Sequence, residues 1–227
     1  MPPPYRLAVF DFDGTLADSW RLLGGAMMDA ADLFGYRRLS AEEAEALRGQ
    51  DNRTVMAAMG VKMWQLPRIA IHMRQVAFDR ADEIMLFDGA GDMLREVAAA
   101  GVRVVVVSSN REDVIRRVLG ADLSAAVTDF DCGAAIFGKA ARFRRVLRRA
   151  DVDPAQTVGV GDEARDIEAA QAAGIASAAV TWGYATPALL ASRSPTHVVT
   201  SIGELTTLLT GRPAPSSSVG RDAPSGT

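Results

Sequence analysis

Acidic and hydroxyl side chains occur in three groups that lie far apart in the sequence, and each group follows a run of apolar residues. The groups are Asp11 with Asp13, Ser108 with Ser109, and Asp162 with Asp166. Carboxylates act as nucleophiles and as general acids or bases, and hydroxyls donate hydrogen bonds to anions. Each group alone is equally compatible with an ordinary turn or helix cap. A catalytic site requires that the three groups meet in space.

The apolar runs before these groups are typical of buried strands, and helical patterns separate them. We predict strands over 5–10, 102–107, 125–128, 157–161 and 176–181, and helices over 92–100, 139–150 and 163–173. This alternation of strands and helices predicts an α/β fold with a doubly wound, Rossmann-like parallel sheet. Ligands bind beyond the carboxyl ends of the strands in such sheets, so the three polar groups are expected at one edge.

The stretch 18–87 is much longer than the connecting loops of about 12–15 residues that compact domains tolerate, so it must fold by itself. Its patterning is mostly helical, with glycine and proline breaks. We therefore predict a core formed by 1–17 and 88–211, with 18–87 inserted as a small helical cap that overhangs the polar groups. The segment 212–227 is rich in proline, serine and glycine and is expected to be a disordered tail.

The composition excludes several classes of protein. A formal net charge of −3 at pH 7 lacks the basic excess that binds a nucleic-acid backbone, so no nucleic-acid partner is expected. No apolar run reaches the length of about 20 residues that crosses a bilayer, so no membrane partner is expected either. The single Cys132 and the absence of a signal-peptide layout favour a cytoplasmic location. A monomer or homodimer is expected.

The order of the polar groups, together with a lysine at position 139, resembles the four signature motifs of the haloacid dehalogenase superfamily. Its strongest element is the segment 11–16, Asp-Phe-Asp-Gly-Thr-Leu, directly after an apolar strand. Only two lysines occur in the chain, Lys62 and Lys139, so chance is a poor explanation for a lysine at the motif position. The resemblance covers roughly residues 5–205 and is closest to the phosphoglycolate phosphatase-like branch with a helical cap.

The resemblance implies a role for each polar group. Asp11 would attack phosphorus and form an aspartyl phosphate, which divides a difficult displacement into two easier steps. Asp13 would protonate the leaving oxygen and then activate water. Ser108 and Ser109 would bind the phosphoryl oxygens, and Lys139 would offset their charge while holding the nucleophile in place.

A phosphoryl group among carboxylates requires a cation, and magnesium is the one that the resemblance implies. Mg²⁺ prefers oxygen ligands, including one or two carboxylates. The family pattern supplies Asp11, the backbone carbonyl of Asp13, and Asp162, while Asp166 would either ligate directly or orient the motif lysine. Glu163 departs from the family pattern, which more often has a small hydroxyl residue at that position.

These roles predict a Mg²⁺-dependent phosphatase acting on a small phosphorylated metabolite that resembles phosphoglycolate. In related caps, a turn between helices reaches into the site and contacts the leaving group. The matching turn here contains Arg48 and Arg53, which are candidates for binding a carboxylate or a second phosphate of the substrate. The alternative for both arginines is an ordinary solvent-exposed position.

Other functions remain open or are disfavoured. A phosphonatase would carry alanine in place of Asp13 and a reactive cap lysine, for which only Lys62 is available. A sugar phosphomutase keeps both aspartates, and a receiver-like binding module would only be phosphorylated on Asp11. The segment 133–139 fits a nucleotide-binding loop, but Ala140 stands where that loop needs a magnesium-binding hydroxyl.

Overall fold

A computed structural model describes residues 3–47, 50–133 and 138–212 of the chain. The strands are β1 (Leu7–Phe10), β2 (Ala17–Asp18), β3 (Met85–Leu86), β4 (Arg103–Ser108), β5 (Asp129–Cys132), β6 (Thr157–Gly161), β7 (Ala176–Val180) and β8 (His197–Val199). The helices are α1 (Trp20–Asp29), α2 (Ala31–Phe34), α3 (Ala41–Leu47), α4 (Asn52–Ala58), α5 (Leu66–Asp79), α6 (Ala90–Ala99), α7 (Glu112–Ala126), α8 (Lys139–Ala150), α9 (Ala164–Ala173), α10 (Pro187–Ser192) and α11 (Ile202–Thr210). Short 3₁₀ turns cover Met63–Gln65, Ala81–Glu83 and Pro154–Gln156.

Six of the strands form one sheet in the order β5-β4-β1-β6-β7-β8, and all neighbours pair in parallel. The order reverses direction at β1, which lies between β4 and β6. Phe10, the last residue of β1, is paired with Val106 on one side and Val160 on the other. The predicted α/β fold with a doubly wound parallel sheet is confirmed, and its switch point lies beside the strand that leads into Asp11.

Helices cover both faces of the sheet at β1. This burial agrees with the sequence of β1, whose residues are apolar without interruption. Ala8 and Phe10 pack into a cluster that includes side chains of α6, α7 and α11. Leu7 and Val9 face the opposite side, where they pack with side chains of α8 and α9. All four residues have no solvent exposure. The alternation fixes the register, since a shift by one residue would exchange the two faces.

The strand predicted over 125–128 is wrong, because α7 continues to Ala126 and β5 begins only at Asp129. Because β5 contains two aspartates, its sequence is more typical of a polar loop than of a buried strand. Arg149 approaches Asp129 at 2.7 Å, and Arg145 binds the buried Asp131 with contacts of 2.7 and 2.8 Å. Arginines of α8 therefore neutralise a charged strand, and they are not simply a solvated helix face.

The longest described helices are α5 with 14 residues and α7 with 15. Helix α7 is interrupted at Gly120, whose backbone φ of 69° lies in the left-handed region that favours glycine. Among the helices that the structure describes, none combines the length and the apolar composition needed to cross a bilayer.

The residues between β2 and β3 are mostly helical and have an apolar cluster of their own. This cluster contains Ala30, Tyr36, Met59 and Ile69, and it is separate from those that cover the sheet. Strands β2 and β3 pair antiparallel where the segment leaves and rejoins the rest of the chain. These observations support the division that we propose, with 18–87 as a cap. Apart from Arg212, the tail expected over 212–227 lies outside the described residues.

Candidate active site

The carboxyl ends of β1, β4 and β6 bring the three polar groups to one edge of the sheet. Asp11 follows β1, and its backbone N–H continues the ladder by donating to the carbonyl of Val160 at 2.9 Å. Ser108 is the last residue of β4, and Asp162 directly follows β6. Asp11, Ser108 and Asp162 are all buried, with at most 4% of their surface exposed. The first requirement of a catalytic site, spatial convergence, is therefore met.

Three carboxylates, those of Asp11, Asp162 and Asp166, gather in one buried cluster. Each offers an oxygen within 4.8 Å of the others. Burial, followed by the charges of neighbouring carboxylates, raises the pKa of Asp162 well above its ordinary value. Burial likewise raises the pKa of Asp166, although Lys139 opposes the shift. Close, buried, mutually repelling oxygens fit a divalent cation such as Mg²⁺. Metal binding by the backbone carbonyl of Asp13 stays a prediction.

Lys139 connects two members of this cluster from the first position of α8. Its Nζ lies 2.9 Å from Asp11 Oδ2 and also contacts Asp166 Oδ1. Burial works against the charge of the ammonium group, but Asp11 and Asp166 more than offset it, so the pKa of Lys139 is raised. The lysine thus stays charged, and it can both orient Asp11 and receive support from Asp166.

Asp13 is not a member of this cluster. Burial, with a smaller effect from the charge of Asp11, raises the pKa of Asp13 to about 6. The side-chain amide of Asn110 donates to its Oδ2 at 3.3 Å, whereas its buried Oδ1 receives no hydrogen bond from the residues that the structure describes. A carboxyl group with a pKa near the working pH is suited to give and take a proton.

Asp162 is held by a close-fitting set of backbone and hydroxyl groups. Thr15 Oγ1 donates to its Oδ1, and the backbone N–H of Tyr184 donates to its Oδ2, both at 2.8 Å. Gly14 and Gly183 pack so tightly against it that a Cβ on either would lie closer than 3.0 Å to its carboxylate atoms. Gly14 also has φ at +80°. The loops after β1 and β7 therefore fix the position of this carboxylate.

Gly183→Ala is expected to weaken Mg²⁺ binding by roughly 10- to 100-fold, because the new methyl group must displace Asp162 from the cluster. Mg²⁺ titration followed by calorimetry measures this change. Gly25→Ala is the matched control, since Gly25 lies within α1 and a Cβ there meets nothing within 4 Å. Equal Mg²⁺ affinities for the two variants would contradict the prediction.

Ser108 is suited to binding an anion. Its buried Oγ accepts a hydrogen bond from the backbone N–H of Asn110 at 3.0 Å, which leaves the hydroxyl proton available for donation. Arg142 supports the same strand end by donating to the Ser108 carbonyl at 2.8 Å. Ser109 is only half-buried, and its side chain makes no hydrogen bond with the residues described here. The geometry therefore favours Ser108 over Ser109 for the phosphate-binding role.

The structure describes only one of the two cap arginines, Arg53. Arg48 lies outside the described residues. Arg53 is exposed in the first turn of α4, a helix whose N-cap residue Asp51 accepts a hydrogen bond from the Thr54 backbone at 2.9 Å. The substrate-binding role of both arginines stays a prediction. Lys62, which a phosphonatase would need inside the site, is exposed at the start of a 3₁₀ turn.

Sequence reasoning missed Tyr184, which touches several parts of the site. Besides its backbone contact with Asp162, its hydroxyl lies 2.6 Å from Ser19 Oγ, at the start of the cap. Its ring packs 5.1 Å from that of Trp20. The strand-end rule would have suggested the loop after β7, but only the structure identifies the tyrosine. Asn110 and Thr15 were visible beside the predicted motifs and were not assigned a role.

The 132–139 region contains the free cysteine Cys132 and the segment that fits a nucleotide-binding loop. Burial raises the pKa of the Cys132 thiol to about 12, so it remains protonated and unreactive near neutral pH. The nucleotide-loop alternative over 133–139 depends on 134–137, which lie outside the described residues. Its lysine, Lys139, forms ion pairs with Asp11 and Asp166. The lysine therefore belongs to the carboxylate cluster.

Comparison with known proteins addresses the family. A model for haloacid dehalogenase-like hydrolases matches residues 8–180. The chain is 30% identical over 177 residues to phosphoglycolate phosphatase of Synechococcus elongatus, covering 78% of this chain and 84% of that protein. It is 29% identical over 187 residues to tyrosine-protein kinase PtkA of Mycobacterium tuberculosis, covering 79% of this chain and 63% of the kinase.

A solved structure agrees with the sequence comparison at the level of the fold. A haloacid dehalogenase-like family hydrolase from Streptococcus pneumoniae matches with a TM-score of 0.74 and 20% identity. The match covers 89% of this chain and 97% of that one. Because the family model spans well over half of the sequence, the resemblance in the motifs is confirmed. The chain belongs to the haloacid dehalogenase-like hydrolases.

Proposed function

We propose that the chain is a Mg²⁺-dependent phosphomonoester hydrolase that transfers the phosphoryl group of a small metabolite to Asp11. The observation that carries this proposal is the contrast between two neighbouring carboxylates. Asp11 is paired with Lys139 at 2.9 Å and belongs to the cluster suited to a cation. Asp13 lies outside that cluster, and its pKa is raised to about 6. Asp11 is thus suited to attack phosphorus, and Asp13 is suited to donate and accept a proton.

In the first half-reaction, a carboxylate oxygen of Asp11 forms a bond to phosphorus while the ester P–O bond breaks. Asp13 enters this step protonated and gives its proton to the leaving oxygen, so that the alcohol departs neutral. Lys139 holds Asp11 in position through the ion pair at 2.9 Å. Ser108 is placed to donate its hydroxyl proton to a phosphoryl oxygen.

In the second half-reaction, Asp13 is a carboxylate and accepts a proton from a water molecule. The water oxygen bonds to phosphorus, and the bond between phosphorus and the Asp11 oxygen breaks. Phosphate leaves, Asp11 is again a free carboxylate, and Asp13 again carries its proton. Asn110 keeps Asp13 oriented in both steps through its amide contact at 3.3 Å.

The residues that would hold Mg²⁺ are Asp11, Asp162 and Asp166, whose oxygens form the buried cluster. When bound, Mg²⁺ supplies positive charge that polarises the phosphoryl oxygens and lowers the repulsion between the substrate and the carboxylates. Asp166 also accepts from Lys139 and from the backbone N–H of Glu163. These contacts support an orienting role for Asp166 even if it does not ligate the ion directly.

The proposed substrate is a small phosphorylated acid of the phosphoglycolate type. Support comes from relatives named phosphoglycolate phosphatase, which include proteins of Synechococcus elongatus and Agrobacterium fabrum. We further propose a cytoplasmic location and a cap, 18–87, that selects the substrate through the turn containing Arg48 and Arg53. An exposed arginine suits this role because its planar fork binds a carboxylate or phosphate with two hydrogen bonds.

A panel of phosphorylated metabolites, assayed with Mg²⁺ present and withheld, tests the proposed function. We expect Mg²⁺-dependent phosphate release from at least one small ester. Isomerisation of a sugar phosphate that requires a bisphosphate activator would instead identify a phosphomutase. Stable phosphorylation of Asp11 without turnover would identify a receiver-like module, and either result would overturn the hydrolase assignment.

Arg53→Ala is expected to raise KM for phosphoglycolate-like esters by roughly 10-fold, with little change in kcat, because one charge-assisted contact with the substrate acid is lost. The KM for a neutral aryl phosphate should hardly change. Arg21→Ala provides a control, since Arg21 is also exposed in the cap segment, on α1. Equal effects of Arg53→Ala on both substrates would remove its recognition role.

A further inference from the structure

Arg165 is an unexpected cation next to the acidic cluster. It lies in the first turn of α9, where Glu163 is the N-cap residue. The amino end of a helix carries a partial positive charge, so a cation there is unfavourable. A local benefit to the helix therefore does not explain an arginine at this position.

Glu163 forms an ion pair with the Arg165 side chain. Its Oε2 contacts Arg165 Nε, and only 11% of the Glu163 side chain is exposed. Glu163 is itself fixed, because its backbone N–H donates to Asp166 Oδ2 at 3.0 Å in a capping box. The contact is an ion pair, since Arg165 Nε has no hydrogen-bond partner among the described residues. The two terminal NH₂ groups of the guanidinium also remain for another acceptor. Among residues 3–47, 50–133 and 138–212, we find none for them.

Arg165 directly precedes Asp166 of the carboxylate cluster in the first turn of α9, and the charge of Asp11 acts on it. The charge of Glu163 has the largest effect and raises the pKa of Arg165; burial opposes it, and Asp11 adds to the increase. Arg165 in turn is one of the groups that lower the pKa of Asp13. The side chain is nevertheless 38% exposed, so part of it is open to a ligand that enters the site.

The charge balance of the site explains why a second cation is needed. The carboxylates are those of Asp11, Asp13, Asp162, Glu163 and Asp166. With Asp13 protonated, as the proposed first half-reaction requires, Lys139 together with a divalent cation supplies three positive charges against the remaining four negative charges. A phosphate ester that brings two further negative charges would meet net repulsion. Arg165 reduces this excess on the side of Asp11, where a phosphoryl group must bind.

We propose that Arg165 is a phosphate-binding residue, whose terminal NH₂ groups donate to non-bridging oxygens of the phosphoryl group that Asp11 receives. This inference rests on the proposed function, since it takes Asp11 as the phosphoryl acceptor. The guanidinium group is suited to this role because it is planar and can donate two hydrogen bonds to two oxygens of a phosphate. Glu163 is then a positioning residue that keeps the guanidinium group of Arg165 oriented toward the substrate.

Calorimetric titration of the full chain with inorganic phosphate, in the presence of saturating Mg²⁺, tests this role without any turnover. Arg165→Gln should weaken phosphate binding at least 10-fold, and Arg165→Lys, which keeps the charge but loses the fork, should give an intermediate loss. Arg148→Gln is the matched control, since Arg148 is exposed in the last turn of α8. Unchanged affinity in Arg165→Gln would overturn the proposal, as would an absence of phosphate binding by the unaltered chain.

The double variant Glu163→Gln with Arg165→Gln separates phosphate binding from a purely structural ion pair. If Arg165 binds phosphate, the double variant remains as weak as Arg165→Gln. If Arg165 only neutralises Glu163, removing both charges restores phosphate affinity, and the proposal fails. Mg²⁺ affinity, titrated separately, should stay the same or increase in Arg165→Gln, because a cation is removed. A weaker Mg²⁺ affinity would mean that the site had been distorted, and would also count against the proposal.

The two proposals fail in different ways. If the unaltered chain hydrolyses no ester but binds phosphate through Arg165, the hydrolase function is wrong while the binding role stands. If the chain hydrolyses esters and Arg165→Gln binds phosphate normally, the hydrolase function stands while the phosphate-binding role of Arg165 is wrong. Thermal unfolding of each variant checks that it is folded, and Arg165→Lys provides the test should Arg165→Gln fail to fold.

Discussion

Asp11→Asn is expected to reduce Mg²⁺-dependent phosphate release by roughly 10⁴-fold or more, because the amide lacks the negative charge and nucleophilicity of the carboxylate. The substitution also removes one partner of Lys139, whose Nζ lies 2.9 Å from Asp11 Oδ2. Phosphate release from the best ester of the metabolite panel measures the loss. Retention of full turnover in this variant would exclude Asp11 as the nucleophile.

Two further variants make the test of Asp11 specific. Asp122→Asn removes an exposed carboxylate of α7 that is paired with Arg95, and it should leave turnover unchanged. Asp13→Asn should slow turnover by about 10²- to 10⁴-fold, the usual contribution of a general acid and base. With an aryl phosphate whose leaving group needs little protonation, Asp13→Asn should accumulate the phosphorylated chain, because the water-activating step is still impaired. Phosphorylated Asp13→Asn protein can be detected by mass spectrometry.

Removal of Mg²⁺ is expected to abolish turnover and to lower the thermal stability by an amount that depends on pH. Without metal, burial raises the pKa of Asp13 to about 6 and raises the pKa of Asp162 and Asp166 as well. The folded state therefore holds more protons than the unfolded state, whose aspartates titrate near 3.9. Stability from these groups is largest below that value and is lost as the pH rises through about 6.

Bound Mg²⁺ replaces these protons, so the increase in Tm on adding Mg²⁺ should be larger at pH 7.5 than at pH 5. Thermal unfolding with Mg²⁺ or with a chelator, at both pH values, measures the effect. Asp162→Asn should reduce the difference, because one carboxylate of the cluster is gone. A Tm increase that is independent of pH would show that the cluster does not exchange protons for the ion.

Strand ends were the most informative signal in the sequence. A short, mostly apolar run that stops at a polar residue is typical of a buried strand reaching the sheet edge, and β6 was predicted with its observed bounds. The same argument brought Asp11 and Asp162 together from distant positions. Strand β5 was missed because its aspartates are neutralised by arginines of α8, and such compensation between elements leaves no local pattern.

The remaining features of the site depend on contacts that periodicity does not encode. Ser19 and Tyr184 are 165 positions apart and meet only because the cap begins beside the loop after β7. Arg165 was visible between Asp162 and Asp166, but its ion pair with Glu163 appears only in the structure. A sequence pattern can place a residue on an element, whereas the partner that orients its side chain appears only after folding.

The central position of β1 has a consequence for how the chain is made. Leu7 pairs with Arg103 and with Thr157, so β1 is synthesised well before either of its neighbours. At about 5–20 residues per second, both edges of β1 stay unpaired for roughly 5–20 s until β4 follows, and one edge stays unpaired for roughly 8–30 s until β6 follows. Contacts of such long sequence separation also slow folding in general. A chain truncated before Thr157 would contain Asp11, the proposed nucleophile, yet expose an apolar strand edge, and it is expected to aggregate during expression.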